Sequence, residues 1–462
     1  MLIPIKIDLL DIRRSLIFGS AICLAMILGT LYADCVQASA FKEARKTAKQ
    51  IAADYQAPPE IVIDSSSTLN DYLRYAALNN PGLRSAFYNW KSELNQVGVA
   101  RGLPDPMFSY GYFIENVETR VGPQQQRFSV SQNFPWFGTL SARGDMTFQG
   151  AGAAYQRYQA AKLKLFYEVK AAYYDYYLLG RKIQLAQDHI QLLSDWEKVA
   201  LTRYKSAIGS YHNIIQIQVE LGKLEDRLIS LQAIQQPTEA HLLAALNLPD
   251  SISLPVPGNV PDEQITIDAD SVKAQAQSFN PDLLALDNMI AKEKIGVSLA
   301  KKSSFPNFTL GVDYIQTGKA LDPTMPESGK DPIVVFGSIN LPIWFGKNKA
   351  ARDRARSRYE AAINGKVNAE NRLDALVEKL LFEYDDAQRK VDLYRDGLIP
   401  RAQQSLNAAL TDYQAGKAGF IDVIDAERLL LEFQLNLEES LTMRATKLAE
   451  IEMTTGREYE AR

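Results

Sequence analysis

The stretch SQNFPWFGTL at 131–140 returns as SINLPIWFGK at 338–347. The echo belongs to a duplication that runs through most of the chain. Asn80-Pro81-Gly82-Leu83 is answered by Asn280-Pro281-Asp282-Leu283, and Pro106-Met107-Phe108-Ser109-Tyr110-Gly111 by Pro306-Asn307-Phe308-Thr309-Leu310-Gly311. Further on the register slips: Tyr176 answers to Tyr384, Tyr204 to Tyr413, Tyr211 to Phe420 and Ile215 to Ile424. Small insertions near the strands explain the drift. A period this long is not that of a short-repeat solenoid. The chain is two copies of one structural unit, joined through the Pro-rich segment PDSISLPVPGNVP at 249–261.

Within each copy the hydrophobic period changes in the same order. Phe108, Tyr110, Tyr112 and Ile114 alternate with Ser109 and Gly111, and Phe308, Leu310, Val312 and Tyr314 alternate with Asn307, Thr309, Gly311 and Asp313. Partner segments near 127–134 and 333–341 set Phe128, Val130 and Phe134 against Ser129, Ser131 and Asn133, then Val335, Ile339 and Leu341 against Ser338 and Asn340. Period two predicts four strands with one apolar, aromatic face and one small, polar face. Such strands fit a transmembrane barrel; taken alone, they fit a soluble sheet with one wet face equally well. Pro135 and Gly138, and Pro342 and Gly346, end the extended structure, because Pro removes a strand donor and Gly supplies a turn.

Each hairpin leads into a long helical segment. From about Thr139 to Lys205, and from about Lys347 to Gln414, only Gly397 and Pro400 interrupt the pattern. Sixty-odd residues at 1.5 Å each give a rod of roughly 100 Å. Val169, Tyr176, Ile183 and Ile190 fall seven apart, with Ala172, Leu179, Ala186, Leu193 and Ala200 between them. Val377, Tyr384, Val391 and Leu398 repeat the spacing, with Leu373, Leu380, Ala387 and Tyr394 between. Sustained heptads mean coiled-coil packing. Each rod ends at a short turn, around Gly209-Ser210 and Gly416 to Gly419, and then a return helix begins; Pro237 is expected to kink or end the first return helix. The cluster Tyr173, Tyr174, Tyr176 and Tyr177 reads as packing between helices.

Four strands do not close a barrel, for which single chains use at least about eight. Open edges do not face lipid. If the strands sit in a membrane, several chains share one barrel and their helices continue the same cylinder.

The NPxL helix starts, the RGLPDP approach to the first strand, SQNFPWFGTL before the long helix and YQAGKAGFIDVIDAE at the second turn together resemble the TolC family of outer membrane efflux proteins, over roughly 70–456. The last motif is the most specific. The resemblance implies an α+β membrane protein, with four transmembrane β-strands and long coiled-coil α-helices per chain. In a trimer these make a shared twelve-stranded β-barrel on an α-helical periplasmic tunnel. It further implies the outer membrane channel of a tripartite efflux pump: a passive duct for small molecules or metal ions, fed by an inner membrane RND or ABC pump through a periplasmic adaptor. Within the family a heavy-metal RND branch is one placement. Exit of proteins by type I secretion, or a periplasmic coiled-coil scaffold without a pore, are the alternatives.

The resemblance also assigns roles to residues. Asp422 and Asp425, three apart on one helix face, correspond to inward carboxylates at the periplasmic aperture, where a ring favours cations. Their first-copy counterparts are Asn213 and Gln216. Read without the family, the two aspartates are an acidic first turn favoured by the helix dipole. Tyr413 matches a gate tyrosine, Ala418 stands where a gate arginine is expected, and Lys417 is its substitute. Gly209, Ser210, Gly416 and Gly419 mark the turns that would contact the adaptor, and the Pro135/Gly138 and Pro342/Gly346 pairs mark the passage from barrel to tunnel.

The N-terminus carries its own signal. Arg13 and Arg14, the apolar run LIFGSAICLAMILGTLY and Ala38-Ser39-Ala40 make a secretory signal peptide cleaved after Ala40, with an uncleaved anchor helix as the alternative. Cleavage there removes both cysteines; Cys35, if it were the first mature residue, would be lipidated. The expected organisation is a signal peptide at 1–40, an N-terminal periplasmic segment at 41–77, and a first repeat at 78–248 with its hairpin at 104–134. A linker at 249–269, a second repeat at 270–456 with its hairpin at 306–341, and a tail at 457–462 complete it.

Nothing in the composition suggests other chemistry. A net charge of −4 without a basic stripe gives no case for nucleic acid. Three histidines, His189, His212 and His241, fall in unrelated contexts, and no HExxH, GxSxG, phosphate loop or Cys pair accompanies them. His189 and His241 read as packing or surface residues; His212, beside the first turn, is the one nearest the tunnel mouth. No catalytic set, no metal site and no cofactor are expected.

Overall fold

The computed structural model describes residues 39–58, 61–64, 66–260, 262, 265, 268–322 and 324–459. The expected signal peptide, apart from Ser39 and Ala40, lies outside the described residues together with Cys23 and Cys35. In chain order the elements are α1 (39–56), α2 (Leu69–Asn79), α3 (Pro81–Arg101), β1 (Met107–Val117), β2 (Gln124–Phe134), α4 (Thr139–Lys205), α5 (Tyr211–Ala233) and α6 (Gln235–Leu246). The second copy comprises α7 (Ala269–Phe279), α8 (Pro281–Lys302), β3 (Phe308–Thr317), β4 (Ile333–Ile339), α9 (Phe345–Asp392), a π-helical turn (Leu393–Leu398), α10 (Ile399–Gln414) and α11 (Phe420–Thr455). The chain divides into two compact units.

The first unit holds the residues up to Ala57, Lys91–Ala151 and Ala291–Arg356. Its centre is one antiparallel sheet in the order β1-β2-β3-β4. The pairing sets Tyr110, Phe128, Tyr314 and Ile333 in one cross-strand row and Phe108, Val130, Val312 and Val335 in the next, all on one face. Ser109, Ser129 and Asp313 form a row on the opposite face, where Arg127 donates to Asp313. Period-two alternation therefore produces one apolar face across the sheet. In this chain that face is not covered: Phe108, Tyr110, Val130, Val312 and Val335 are all exposed. β1 and β4 each keep one edge without a strand partner among the described residues.

The second unit holds Pro58–Trp90, Gly152–Ile290 and from Ser357 onward. Both NPxL motifs begin helices in the same way. Asn80 and Asn280 accept from the amides of Leu83 and Leu283 through Oδ1 at 3.0 Å, and the following Pro occupies the first helical position, where it needs no amide partner. Their Nδ2 atoms donate to Ala245 O and Thr454 O, tying each helix start to the end of the return helix of one copy. The heptad residues of α4 are buried at Val169, Ala172, Tyr176, Leu179, Ala186, Leu193 and Ala200, whereas Ile183 and Ile190 are half-buried. Val377, Leu380, Tyr384, Ala387 and Val391 line the α9 seam.

Two prolines act differently. Before Pro237 the return helix stops, α5 ending at Ala233 and α6 starting at Gln235, because the ring conflicts with the carbonyl one turn back. At Pro400 the helix does not stop. It widens into the π turn at Leu393–Leu398, and α10 restarts with Pro400 in its first turn, where no amide is required. The linker lies across both long helices: Tyr176 OH donates to Leu254 O at 3.2 Å and its repeat counterpart Tyr384 OH to Ile265 O at 3.1 Å.

Candidate functional site

The residues singled out at the turns lie in the second unit, around a core of α4, α5, α10 and α11. Leu193 and Ala200 meet Ile214, Ile217, Leu406, Tyr413, Phe420, Val423 and Ile424 there. The two turns have the same hydrogen-bond pattern. Arg203 O accepts from Ile208 N and Gly209 N, and Asp412 O accepts from Lys417 N and Ala418 N. The left-handed position falls on Gly416 (φ 72°) in the second turn and on Ala207 (φ 57°) in the first. Gly209 is the counterpart of Ala418 and not of the left-handed residue. An alanine at positive φ costs about 1 kcal/mol, so the first turn is the more strained of the two.

Asp422 and Asp425 are exposed on the side of α11 opposite the buried Val423 and Ile424. Asp422 Oδ2 accepts from Gly419 N at 3.0 Å and closes a capping box at the start of the helix. Asp425 pairs with Arg428 at 3.2 Å. Arg428 also binds Glu220 of α5, and its guanidinium holds the Glu220 carboxyl below the usual range, against the burial that would raise it. Within one chain, each aspartate thus has a local partner and keeps an exposed side.

Tyr413 is buried. Its ring meets Phe420 edge-on at 5.0 Å, Arg203 places its guanidinium 5.0 Å from the ring centroid, and Asn213 Nδ2 lies 3.5 Å from its hydroxyl. Arg203 also donates to Gln414 O at 3.4 Å. The cation at this tyrosine therefore comes from the end of α4, while Ala418 carries none and no ion pair of Lys417 is formed among the described residues. Sequence reasoning missed Arg203, whose position in the first copy corresponds to Asp412.

Sequence reasoning also missed a buried polar pair between α4 and α11. His189 Nδ1 lies 2.5 Å from Glu427 Oε1 and Nε2 2.8 Å from Gln434 Oε1, so both ring nitrogens face acceptors. Burial alone would lower the His189 pKa, but the bonds to Glu427 and Gln434 and the charges of Glu427 and Asp188 outweigh it and raise the value. Glu427 occupies apolar spacing between Val423, Leu430 and Leu431, and that position was the available signal.

A folded-state pKa above the unfolded one gives stability that is complete below the ordinary imidazole value of about 6.5 and is lost as pH rises through the raised value. Moving the detergent-solubilised protein from about pH 6 to about pH 9 is therefore expected to lower its denaturation midpoint, and His189→Gln to flatten that dependence. Circular dichroism at a fixed heating rate reads both; equal slopes for the two proteins would refute the assignment.

The strand-to-helix junctions lie in the first unit. Trp136 stacks on Phe305 at 5.0 Å and on Phe308 at 5.7 Å, and its amide donates to Asn307 Oδ1 at 3.2 Å. Pro135 comes directly after the last residue of β2, and Gly138 takes the left-handed conformation (φ 71°) just before α4; a Cβ there would come within 2.9 Å of Lys302 Nζ. The second copy departs from this. An extra residue, Ile343, lets the chain bend at Leu341–Phe345, and Gly346 is already inside α9, with open space around it. Phe137, Trp344 and Phe345 are all more than two-thirds exposed, at 76%, 71% and 79%.

Among the described residues no helix is long and apolar enough to cross a membrane, and no group of three or more His, Cys, Asp or Glu side chains is placed to hold a metal ion. The described residues have the fold of solved outer membrane channels. VceC from Vibrio cholerae superposes with a TM-score of 0.68 at 18% identity, over 85% of this chain and 97% of that one.

Residues 272–457 match the sequence profile described as Outer membrane efflux protein. The matched stretch falls on the second copy of the repeat. Curated relatives include Nodulation protein T of Rhizobium leguminosarum bv. trifolii, 21% identical over 381 residues and 79% of each chain. Another is the Cation efflux system protein CusC of Escherichia coli K12, 21% identical over 65% of this chain and 66% of its own.

Proposed function

We propose that this chain is the outer membrane channel of a tripartite efflux system, a passive duct from the periplasm to the exterior. The observation that carries the reading is the unfinished sheet. Four strands in one antiparallel sheet present an apolar, exposed face and, among the described residues, two unpartnered edges, an arrangement that water does not stabilise and that lipid tolerates only when the edges are closed. Three copies would supply twelve strands, enough to close a barrel. The long helices of those copies would then continue it as a tunnel through the periplasm.

Energy comes from an inner membrane pump, of the RND or ABC type, and a periplasmic adaptor would meet the helical turns around Gly209-Ser210 and Gly416 to Gly419. The named relatives span nodulation and cation efflux, and selection among cargoes rests with the pump. Expression of the full chain, separation of inner and outer membranes, and mass determination of the detergent-extracted particle test the reading. Three chains from the outer membrane support it; a soluble or inner membrane monomer ends it.

Asp422 and Asp425 are assigned to the aperture. In a trimer their exposed carboxylates would form a ring that attracts cations. Asp422→Asn with Asp425→Asn is expected to weaken block of single-channel current by multivalent cations added on the periplasmic side. Each aspartate has another role within the chain, capping for Asp422 and pairing with Arg428 for Asp425. Asparagine keeps the size and a carbonyl acceptor, so the change reads charge. Unchanged block in planar bilayers would place the carboxylates away from the ion path.

A further inference from the structure

At the second junction the residue types run in one order: apolar strand, aromatic residues, then cations. Ile343-Trp344-Phe345 leads on α9 to Lys347, Lys349, Arg352, Arg354 and Arg356 against one carboxylate, Asp353. These five cations are exposed, and no carboxylate of the described residues pairs with them. α8 ends on Lys301 and Lys302, and Lys302 Nζ reaches the Phe137 carbonyl at 3.3 Å, within the aromatic cluster of the first junction. Aromatic rings at the boundary of an apolar band mark headgroup level, and long cationic side chains just beyond them extend toward phosphate.

α1 belongs to the same unit and adds to the band. Its Phe41 ring lies 6.1 Å from Phe148, in the third turn of α4, and the guanidinium of Arg101, the last residue of α3, lies 5.8 Å from Phe41. Ala48, Ala52 and Tyr55 are buried on one side of α1, while Lys42, Arg45, Lys46 and Lys49 are exposed on the other, against Glu43. A short helix with a cationic outer face, packed against the end of α3 and the third turn of α4, has the form of a peripheral interfacial helix. The overall charge of −4 hides this concentration of cations in one unit.

We propose that the exposed cations of α1 and of the first turns of α9 form a band that binds the phosphates of anionic phospholipid headgroups, on the periplasmic side of the membrane that holds the strands. The inference rests on the outer membrane reading above. Like charges held this close repel one another, and a surface of phosphates relieves that repulsion.

Native mass spectrometry of the full chain, purified in a neutral detergent with equal phosphatidylglycerol and phosphatidylcholine, separates the two questions. The number of chains in the particle reports on the channel reading, and the bound lipid reports on the band. The three-chain particle is expected to retain about tenfold more phosphatidylglycerol than phosphatidylcholine. The quadruple variant Lys42→Gln, Arg45→Gln, Lys46→Gln and Lys49→Gln is expected to lose roughly half of that excess or more, as is Lys347→Gln with Lys349→Gln and Arg352→Gln. Lys198→Gln with Lys205→Gln, which changes exposed cations of the second unit, is expected to retain it.

Equal retention of the two lipids in a three-chain particle would overturn the proposal. So would a variant that binds as much phosphatidylglycerol as the unaltered chain, or complete displacement of the lipid by inorganic phosphate, which would identify a site for soluble anions. The comparison of lipids on the unaltered chain needs no variant to fold.

Discussion

Glu427→Ala is expected to destabilise the protein by about 3–5 kcal/mol, the range for removing one partner of a buried ion pair. The side chain has no exposed surface, and His189, which it faces, is also buried. Taking the carboxylate away leaves an imidazole whose charged form loses its counter-ion and keeps only Gln434. The cavity adds a further cost, because Leu185, Leu193, Leu430 and Leu431 surround this part of the core and helices of this length relax little. His189→Leu combined with Glu427→Leu is expected to recover most of the loss, since two apolar side chains remove both charges together.

The dependence also runs the other way. Glu427 Oε2 has no hydrogen-bond partner among the described residues, so His189 is the main compensation for the carboxylate. Denaturation midpoints of His189→Leu, of Glu427→Leu and of the double variant in detergent, at one heating rate, measure the coupling. A double variant as unstable as the sum of the single ones would show that the pair is not coupled. The consequence for function is register. A buried polar pair that can be satisfied only in one alignment fixes which turn of α11 meets which turn of α4, and the exposed carboxylates of α11 are positioned by that alignment.

The sequence made local periodicity legible, and partners between distant segments less so. The limits of α4 at Thr139 and Lys205 reflect the absence of punctuation between them, and the apolar strand positions reflect period two, because both signals are written within a few residues. The bulge between Tyr112 and Val117 and the π turn at Leu393–Leu398 are not written that way. The first shifts the register of β1 on β2, and the second widens the hydrogen-bonded turn of the helix by one residue. The repeat made the two turns comparable, and the left-handed position that Gly416 holds in the second turn falls on Ala207 in the first. Steric preference favours glycine there, and the hydrogen bonds to Arg203 O hold the alanine.

At the candidate aperture, Asp422 and Asp425 were legible through a motif. The Arg203 guanidinium over Tyr413 was not, because its contact spans two copies of the repeat. His189 and Glu427 are separated by 238 positions, and only the misfit of a glutamate at apolar spacing marked the site.

Val312→Arg is expected to abolish accumulation of the outer membrane particle, whereas Ser129→Arg leaves it intact. Both residues are central in the sheet, on adjacent strands, and they occupy opposite faces: Val312 lies in the row Phe108, Val130, Val312 and Val335, and Ser129 in the row with Ser109 and Asp313. If the first face meets lipid, arginine at mid-depth costs about 2–4 kcal/mol per chain. If three chains share one barrel the penalty is incurred three times, about 6–12 kcal/mol, comparable with the whole margin of about 5–15 kcal/mol by which native proteins are stable. If the second face lines a water-filled lumen, an added guanidinium is solvated there beside Arg127 and Asp313 and costs little. The two variants carry the same side chain at nearly the same depth, so a difference between them reads which face meets lipid. Quantitative recovery of detergent-extracted particle from outer membranes gives the result. Equal recovery of both variants would mean that neither face contacts hydrocarbon, and equal loss of both would mean that the sheet is covered on both sides.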